Sequence, residues 1–315
     1  TTAVGHTIDA LIIGTSALSS TIEASLQLTY DLSTIILPEA KNDGADQDNT
    51  VANFRKAYRD ASRASQLLKN SQDQMPIFRE KLQVPLQIFE RVSRLSQSAF
   101  EITNLLDELT GTGSPKTYLV LLENNSELRP GGGFIGNFAL VEFDGGKLKN
   151  ITVEDIYTID GQLQEEIEPP VQLTERLGVT RFFLRDSNWS PDFKINALTA
   201  RDLFKKETAK NVDGVIAVDL TFVQNMLAII GPVTLADYNE VISADNLFER
   251  GEYHSEIGFF PGSTQKRDFF GALTRALINK IVSDLPSPTT NNQQPVTSSI
   301  PWLDLLTETK KALEQ

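Results

Sequence analysis

A chain of 315 residues with 40% hydrophobic and 23% charged residues has the composition of a globular protein and is long enough for more than one core. The formal net charge of −13 excludes an extensive nucleic-acid surface, and no basic run offsets it. The absence of cysteine excludes disulfides and thiolate ligands, and two isolated histidines, His6 and His254, are too few for a histidine-rich zinc site and stand in no triad-like setting.

The first third reads as helical. Leu11, Ile12, Leu18, Ile22, Leu26 and Leu28 recur at helical spacing until the charged turn AKNDGADQDN, Ala40 to Asn49. A second helix is expected from about Thr50 to Ser71 and a third from Pro76 or Pro85 to Leu109, with Pro85 marking a kink or boundary. Apolar stripes of this kind usually make core, so residues 1–112 are expected to form a packed helical hairpin or bundle without chemistry of its own.

The pattern changes at Gly111-Thr-Gly-Ser-Pro115, and residues 113–285 are expected to form a separate domain. TYLVLLE is rich in strand formers. GFIGNFALVEF and KLKNITVEDIYTI, joined at Asp144-Gly145-Gly146, signal a hairpin with a tight turn. FFLRD reads as a short strand, PDFKINALTARDLFKKE as a helix with Pro191 near its start, and VDGVIAVD as a fully buried strand. The helix LTFVQNMLAII, the strand PVTL, a helix capped at Ser243 or Asp245 and the amphipathic TQKRDFFGALTRALINKIVSDL follow. Strands alternating with helices define an α/β class, a mixed sheet with flanking helices, preceded by the all-α region. The uncharged stretch Pro286 to Ile300 reads as a linker, and WLDLLTETKKAL closes residues 286–315 as a short helix.

Two polar loops carry the candidate chemistry. In ENNSELRPGGGFIG, Arg129 precedes Gly131, Gly132 and Gly133, so backbone N–H groups and a guanidinium fork could meet an anion; the loop equally suits a tight strand entry. It is not a phosphate-binding P-loop, since no Gly-Lys-Ser/Thr follows. In RDSNWSPDF, Arg185, Asp186, Asn188 and Asp192 surround Trp189, a mixture suited to a sugar or phosphate ligand and a hard cation; the alternative is a helix start capped by Ser190 or Asp192 with Trp189 packed inward. Arg267 opens the last long helix, where the dipole disfavours a cation unless something anionic lies nearby. Asp155 and Asp160 flank Tyr157, and either is a candidate metal ligand or base. Asp213 and Asp219 read as turn and cap residues.

ENNSELRPGGGFIG, RDSNWSPDF, VDGVIAVDLTFVQNMLAIIGPVTL and KRDFFGAL, in that order, resemble the bacterial family filed as domain of unknown function four-zero-one-two, over roughly Lys116 to Leu285. That resemblance implies a bacterial envelope protein, extracytoplasmic and held by a membrane anchor ahead of this sequence. More distantly, Asp213 through Leu235 looks like part of the LytR-CpsA-Psr proteins, which attach polyprenyl-pyrophosphate-linked glycopolymers to the bacterial wall. That likeness implies a glycan or polyprenyl-phosphate ligand and a magnesium ion. Arg129, Arg185, Asp186 and Arg267 would then form the reacting centre, Gly131, Gly132, Gly133, Asn188 and Trp189 the ligand contacts, and Asp160, Asp186 and Asp192 the metal ligands. Where those transferases keep a metal-binding aspartate, this chain has Gly132 and Gly133, so binding is the first expectation and phosphotransfer the second. The rivals are a noncatalytic surface or assembly protein and a glycoside hydrolase using a pair such as Asp160 and Asp186.

Overall fold

The computed structural model describes residues 2–36, 47–254 and 265–284. The chain divides into two compact units, with the boundary between Leu109 and Thr110. Residues 286–315, expected as linker and short helix, lie outside the described residues.

In the first unit α1 (Thr2–Ile36), α2 (Gln47–Gln74) and α3 (Arg79–Leu109) pack side by side. Ala10 packs with Ala64, Leu68, Leu86 and Phe89, and Ala17 with Ala61 and Val92. Rising numbers on α1 thus meet falling numbers on α2 and rising numbers on α3, so α2 runs antiparallel to its neighbours. A single 3₁₀ turn, Pro76–Phe78, makes the corner into α3, which continues through Pro85; the break therefore falls at the turn and not at Pro85. The buried face corrects the sequence reading. Ala10, Ala17, Ala24 and Leu28 line the seam, whereas Leu11, Ile12, Ile22 and Leu26 are exposed. Small side chains at seven-residue spacing let the helices approach closely, and Gly14 sits where a Cβ would meet the Phe89 ring at 2.0 Å.

The second unit is built on β1 (Lys116–Arg129), β2 (Gly132–Asp144), β3 (Lys147–Asp155), α4 (Tyr157–Asp160), α5 (Val171–Leu177), α6 (Phe193–Thr208), β4 (Gly214–Asp219), α7 (Leu220–Ile230), β5 (Val233–Leu235), β6 (Glu240–Ile242), α8 (Leu247–Glu252) and α9 (Gln265–Asp284). The main sheet has the order β3-β2-β1-β4, with β1 parallel to β4 and the other pairs antiparallel; β5 and β6 pair separately. The β2–β3 turn is the tight one that Asp-Gly-Gly signals, with φ of 58° at Gly145 and 76° at Gly146. Alternation along β1 and β2 sends Leu119, Leu121, Phe138 and Leu140 into one core with Leu173, Ala200, Leu203 and Phe204.

Two strand expectations change. β4 is the edge of its sheet and half-buried along most of its length, because only β1 pairs with it. FFLRD is not a strand: Leu184–Asp186 forms a 3₁₀ turn, and the Leu184 N–H goes to the Glu207 carboxylate at 2.9 Å instead of to a neighbouring strand. The helix expected to be capped at Ser243 or Asp245 follows Asn246, whose side-chain oxygen accepts from the Ser243 N–H at 2.8 Å.

Candidate functional site

β1 carries Glu123 on its core face, because Leu119, Leu121 and Glu123 follow the two-residue period of a strand. A register shift between Leu122 and Glu123 opens the β1–β2 ladder there. The Glu123 carboxylate accepts from the Asn188 side-chain amide at 3.0 Å and from the Gly133 N–H at 3.3 Å. Burial pushes its carboxyl up to about 7, opposed by those two hydrogen bonds and reinforced by the nearby charge of Asp219.

The three-glycine loop is shaped by this contact. A Cβ on Gly131 would lie 2.2 Å from Asn196 Nδ2, one on Gly132 2.1 Å from Glu123 Oε2, and one on Gly133 2.2 Å from the Asn124 carbonyl carbon. Gly132 also takes φ of 138°, a region that residues with side chains rarely enter. The Gly131 N–H donates to the Asn188 carbonyl at 3.0 Å, and Asn188 Nδ2 also donates to the Gly133 carbonyl at 2.6 Å. The loop's amides at Gly131 and Gly133 are thus spent on the protein, and the glycines admit neighbouring chain segments.

The second polar loop is anchored at its far end by α6. Asn196 bonds Ser190 in both directions, at 2.9 and 2.7 Å, and Asp192 caps the helix by accepting from the Lys194 N–H at 2.9 Å. Trp189 packs against the main core. Arg185 reaches Asp160 Oδ2 at 2.6 Å and lies 3.6 Å from Asp186, with its guanidinium over the rings of Phe183 and Tyr157 at 4.4 and 5.2 Å. Burial raises Asp160 to about 6 against the pull of Arg185; it raises Asp186 too, with Arg185 and then Arg129 opposing. Glu207, on the inner face of α6, rises to about 8 through burial and the Asp160 charge. Arg129 and Arg185 therefore both act on Asp186.

Asp160 Oδ1, Asp186 Oδ2, Ser187 Oγ, Asn188 Oδ1, Glu207 Oε2 and Arg129 Nε are buried without a hydrogen-bond partner. Asp160 and Asp186 share one guanidinium, Asp192 is a cap, and among the described residues no group of three carboxylates or histidines is placed to hold a metal ion. These residues do not fit a magnesium centre. Arg267 lies in the first turn of α9, and its side chain lies outside the described residues.

On the other face of the sheet a cavity of about 370 Å³ lies between the strands and α9. Its apolar wall includes Leu122, Phe134, Val223, Phe270, Leu273 and Leu277, and Glu123, Asn137, Asp155, Tyr157 and Asp219 supply its polar end. Besides Glu123, the other two acids are engaged as well: Asp219 caps α7 through the Phe222 N–H at 2.7 Å, and Asp155 accepts from the Tyr157 N–H at 2.7 Å. The Arg129 guanidinium lies 5.3 Å from the centre of the Phe134 ring, as that of Arg185 lies 5.2 Å from Tyr157. Asp160, Asp186 and the two arginines do not themselves line this cavity. The cavity's lining residues were not legible as a set, because they come from seven separate elements. Glu123 and Glu207 were legible singly: Glu123 continues the buried alternation of Leu119 and Leu121, and Glu207 follows Ala200, Leu203 and Phe204 at helical spacing.

Fold and site together define an α/β domain with an apolar pocket and a buried acid–arginine cluster. Residues 113–253, from just ahead of β1 into the end of α8, match a family model described as protein of unknown function (DUF4012). No curated protein and no solved structure was found to match the chain. Among the described residues no helix is long and apolar enough to cross a membrane.

Proposed function

We propose that the α/β unit binds an amphipathic, lipid-linked ligand of the bacterial envelope, with a polyprenyl phosphate as its simplest form. The observation that carries this reading is an apolar pocket with two arginines just outside its lining, each set against an aromatic ring of its wall, Arg129 on Phe134 and Arg185 on Tyr157. A volume of about 370 Å³ suits several isoprene units, and pockets of this size with a few polar groups at one end are the usual form of small-ligand sites. The chain would lie along Leu273 and Leu277 and the anionic head would meet the guanidinium pair. Glu123, raised to about 7, carries little charge in mildly acidic solution and so opposes an anionic head weakly there.

Transfer of the ligand is not part of the proposal. The supporting features are those of a receptor: Asp160 and Asp186 share the Arg185 guanidinium, and Asp192 holds a helix end.

Calorimetric titration of the purified chain with farnesyl phosphate, farnesol and inorganic phosphate tests the reading. Farnesyl phosphate is expected to bind, farnesol more weakly and inorganic phosphate weakest. The double variant Arg129→Ala/Arg185→Ala should cost farnesyl phosphate about tenfold or more in affinity and leave farnesol nearly unchanged. Leu273→Trp, which fills the pocket, should abolish both. Farnesyl phosphate affinity unaffected by either change would sink the proposal.

A further inference from the structure

The outer face of α1 is an apolar stripe that the described residues leave uncovered. Val4, Ile8, Leu11, Ile12, Ile22 and Leu26 are each between 42% and 63% exposed, and Thr15 and Ser19 are exposed between them. At 100° per residue these eight positions fall in one band about 100° wide, on the side of the helix away from the alanine seam. The helix carries Asp9, Glu23 and Asp31 and no lysine or arginine.

Seven of the eight positions are spaced symmetrically about Thr15, Ile12 being the exception. Val4, Ile8 and Leu11 stand eleven, seven and four positions before Thr15, and Ser19, Ile22 and Leu26 stand four, seven and eleven positions after it. Positions spaced in this way meet one another when a second copy is laid on the stripe antiparallel. Thr15 would then sit at the two-fold axis, Leu11 opposite Ser19, Ile8 opposite Ile22 and Val4 opposite Leu26. Thr15 at the axis is small and Leu11 meets the small Ser19 of the other copy, a large-against-small pairing that an isologous contact allows.

We infer that this face is a homodimer interface, formed by antiparallel packing of α1 on α1 of a second copy. Six aliphatic side chains that each keep roughly half their surface present on the order of 500 Å² per copy, so the pair would bury about 1,000 Å², the lower bound for a specific interface. Charge selects the direction. In the antiparallel register Glu23, on the flank of the stripe, lies level with Thr7, whereas parallel packing sets Glu23 level with Glu23. Charge also disfavours a bilayer as the occupant, because helices that lie on anionic lipid carry lysine and arginine along the flanks of the apolar face, and α1 has neither.

The chain contains no cysteine, so single cysteines report the geometry directly. In the full chain, Thr15→Cys is expected to form an intermolecular disulfide under mild oxidation. Ile8→Cys alone should not, while the double variant Ile8→Cys/Ile22→Cys should. Sedimentation of the unmodified chain should give twice the monomer mass, and Ile8→Glu/Ile22→Glu should weaken dimerisation at least tenfold with helix content by circular dichroism unchanged, since both positions are exposed. A monomer by sedimentation together with no Thr15→Cys dimer overturns the inference. So does cross-linking of Ile8→Cys alone as efficient as that of Thr15→Cys, which would mean parallel packing, or a monomer that binds anionic vesicles through the stripe.

Discussion

The side-chain amide of Asn188 donates to Glu123 Oε1 over 3.0 Å and to the Gly133 carbonyl over 2.6 Å, fastening its loop to β1 and to the glycine loop, 65 and 55 positions earlier in the chain. All three groups are buried, so removing the amide leaves an acid and a carbonyl without water to replace it. Asn188→Ala is expected to lower stability by about 1–3 kcal/mol, measured by urea unfolding. Asn188→Asp should cost more, since it sets a second carboxylate beside Glu123. A change within experimental error for both would mean that the contact is incidental.

The glycine loop gives a second prediction, in which stability is the quantity that moves. Gly133→Ala meets backbone atoms of Asn124, which cannot step aside without opening β1, and Gly132→Ala combines a contact at 2.1 Å with a positive φ. Each is expected to cost about 2 kcal/mol or more in thermal or urea unfolding. Gly131→Ala faces the end of the Asn196 side chain and should be the mildest of the three. If the glycines serve an external anion instead, all three variants keep wild-type stability and lose only phosphate affinity.

The sequence located both polar loops and the architecture that carries them, for reasons that are local. Asp-Gly-Gly dictates a tight turn, Asp192 and Asp219 precede helical runs as caps, and alternating patterns mark β1 and β2. What a loop's glycines face is not local. Glu123 and Asn196, which fill the space beside Gly132 and Gly131, lie 9 residues before and 65 after them, and only the folded chain brings them there. The inward face of α1 was misjudged for a related reason. Large aliphatics normally point to the core, but a seam narrow enough for alanine excludes them, and that width is set by α2 and α3.

Glu207 makes stability depend on pH. Its carboxyl rises to about 8, first through burial and then through the charge of Asp160, while the Leu184 N–H and Arg185 oppose the shift; the unfolded chain releases this proton near 4.5. A group whose folded pKa lies above its unfolded value favours the fold fully below about 4.5, and that contribution is lost as pH rises through 8. Stability should therefore fall between those limits by an amount on the order of a few kcal/mol. Asp160, raised to about 6, adds a fall of the same sign in the lower part of this window. Glu207→Gln keeps an acceptor for Leu184 and cannot ionise, so its stability at pH 8 should exceed that of the wild type and its profile from pH 6.5 to 8.5 should be flatter. Parallel profiles for the two proteins would remove Glu207 as the source.

The helical unit offers a test that separates packing from helix propensity. Alanine is favoured over glycine in a helix by about 1 kcal/mol, so Gly5→Ala, where a Cβ meets nothing within 4 Å, is expected to raise the stability of this unit by roughly 0.5–1 kcal/mol. Gly14→Ala has the same propensity gain and the opposite expected outcome. Its Cβ would lie 2.0 Å from the Phe89 ring, which is held among Ala10, Leu68 and Leu86 and has no room to retreat. A net loss of about 1–3 kcal/mol is expected, read from chemical unfolding of the full chain. Shortening the ring removes the obstacle, so Gly14→Ala/Phe89→Leu should be more stable than the sum of the two single changes allows, with a coupling of about 1 kcal/mol or more. Additivity in that cycle would mean that Gly14 and Phe89 do not touch, and with it the alanine seam that turns the large residues of α1 outward would lose its support.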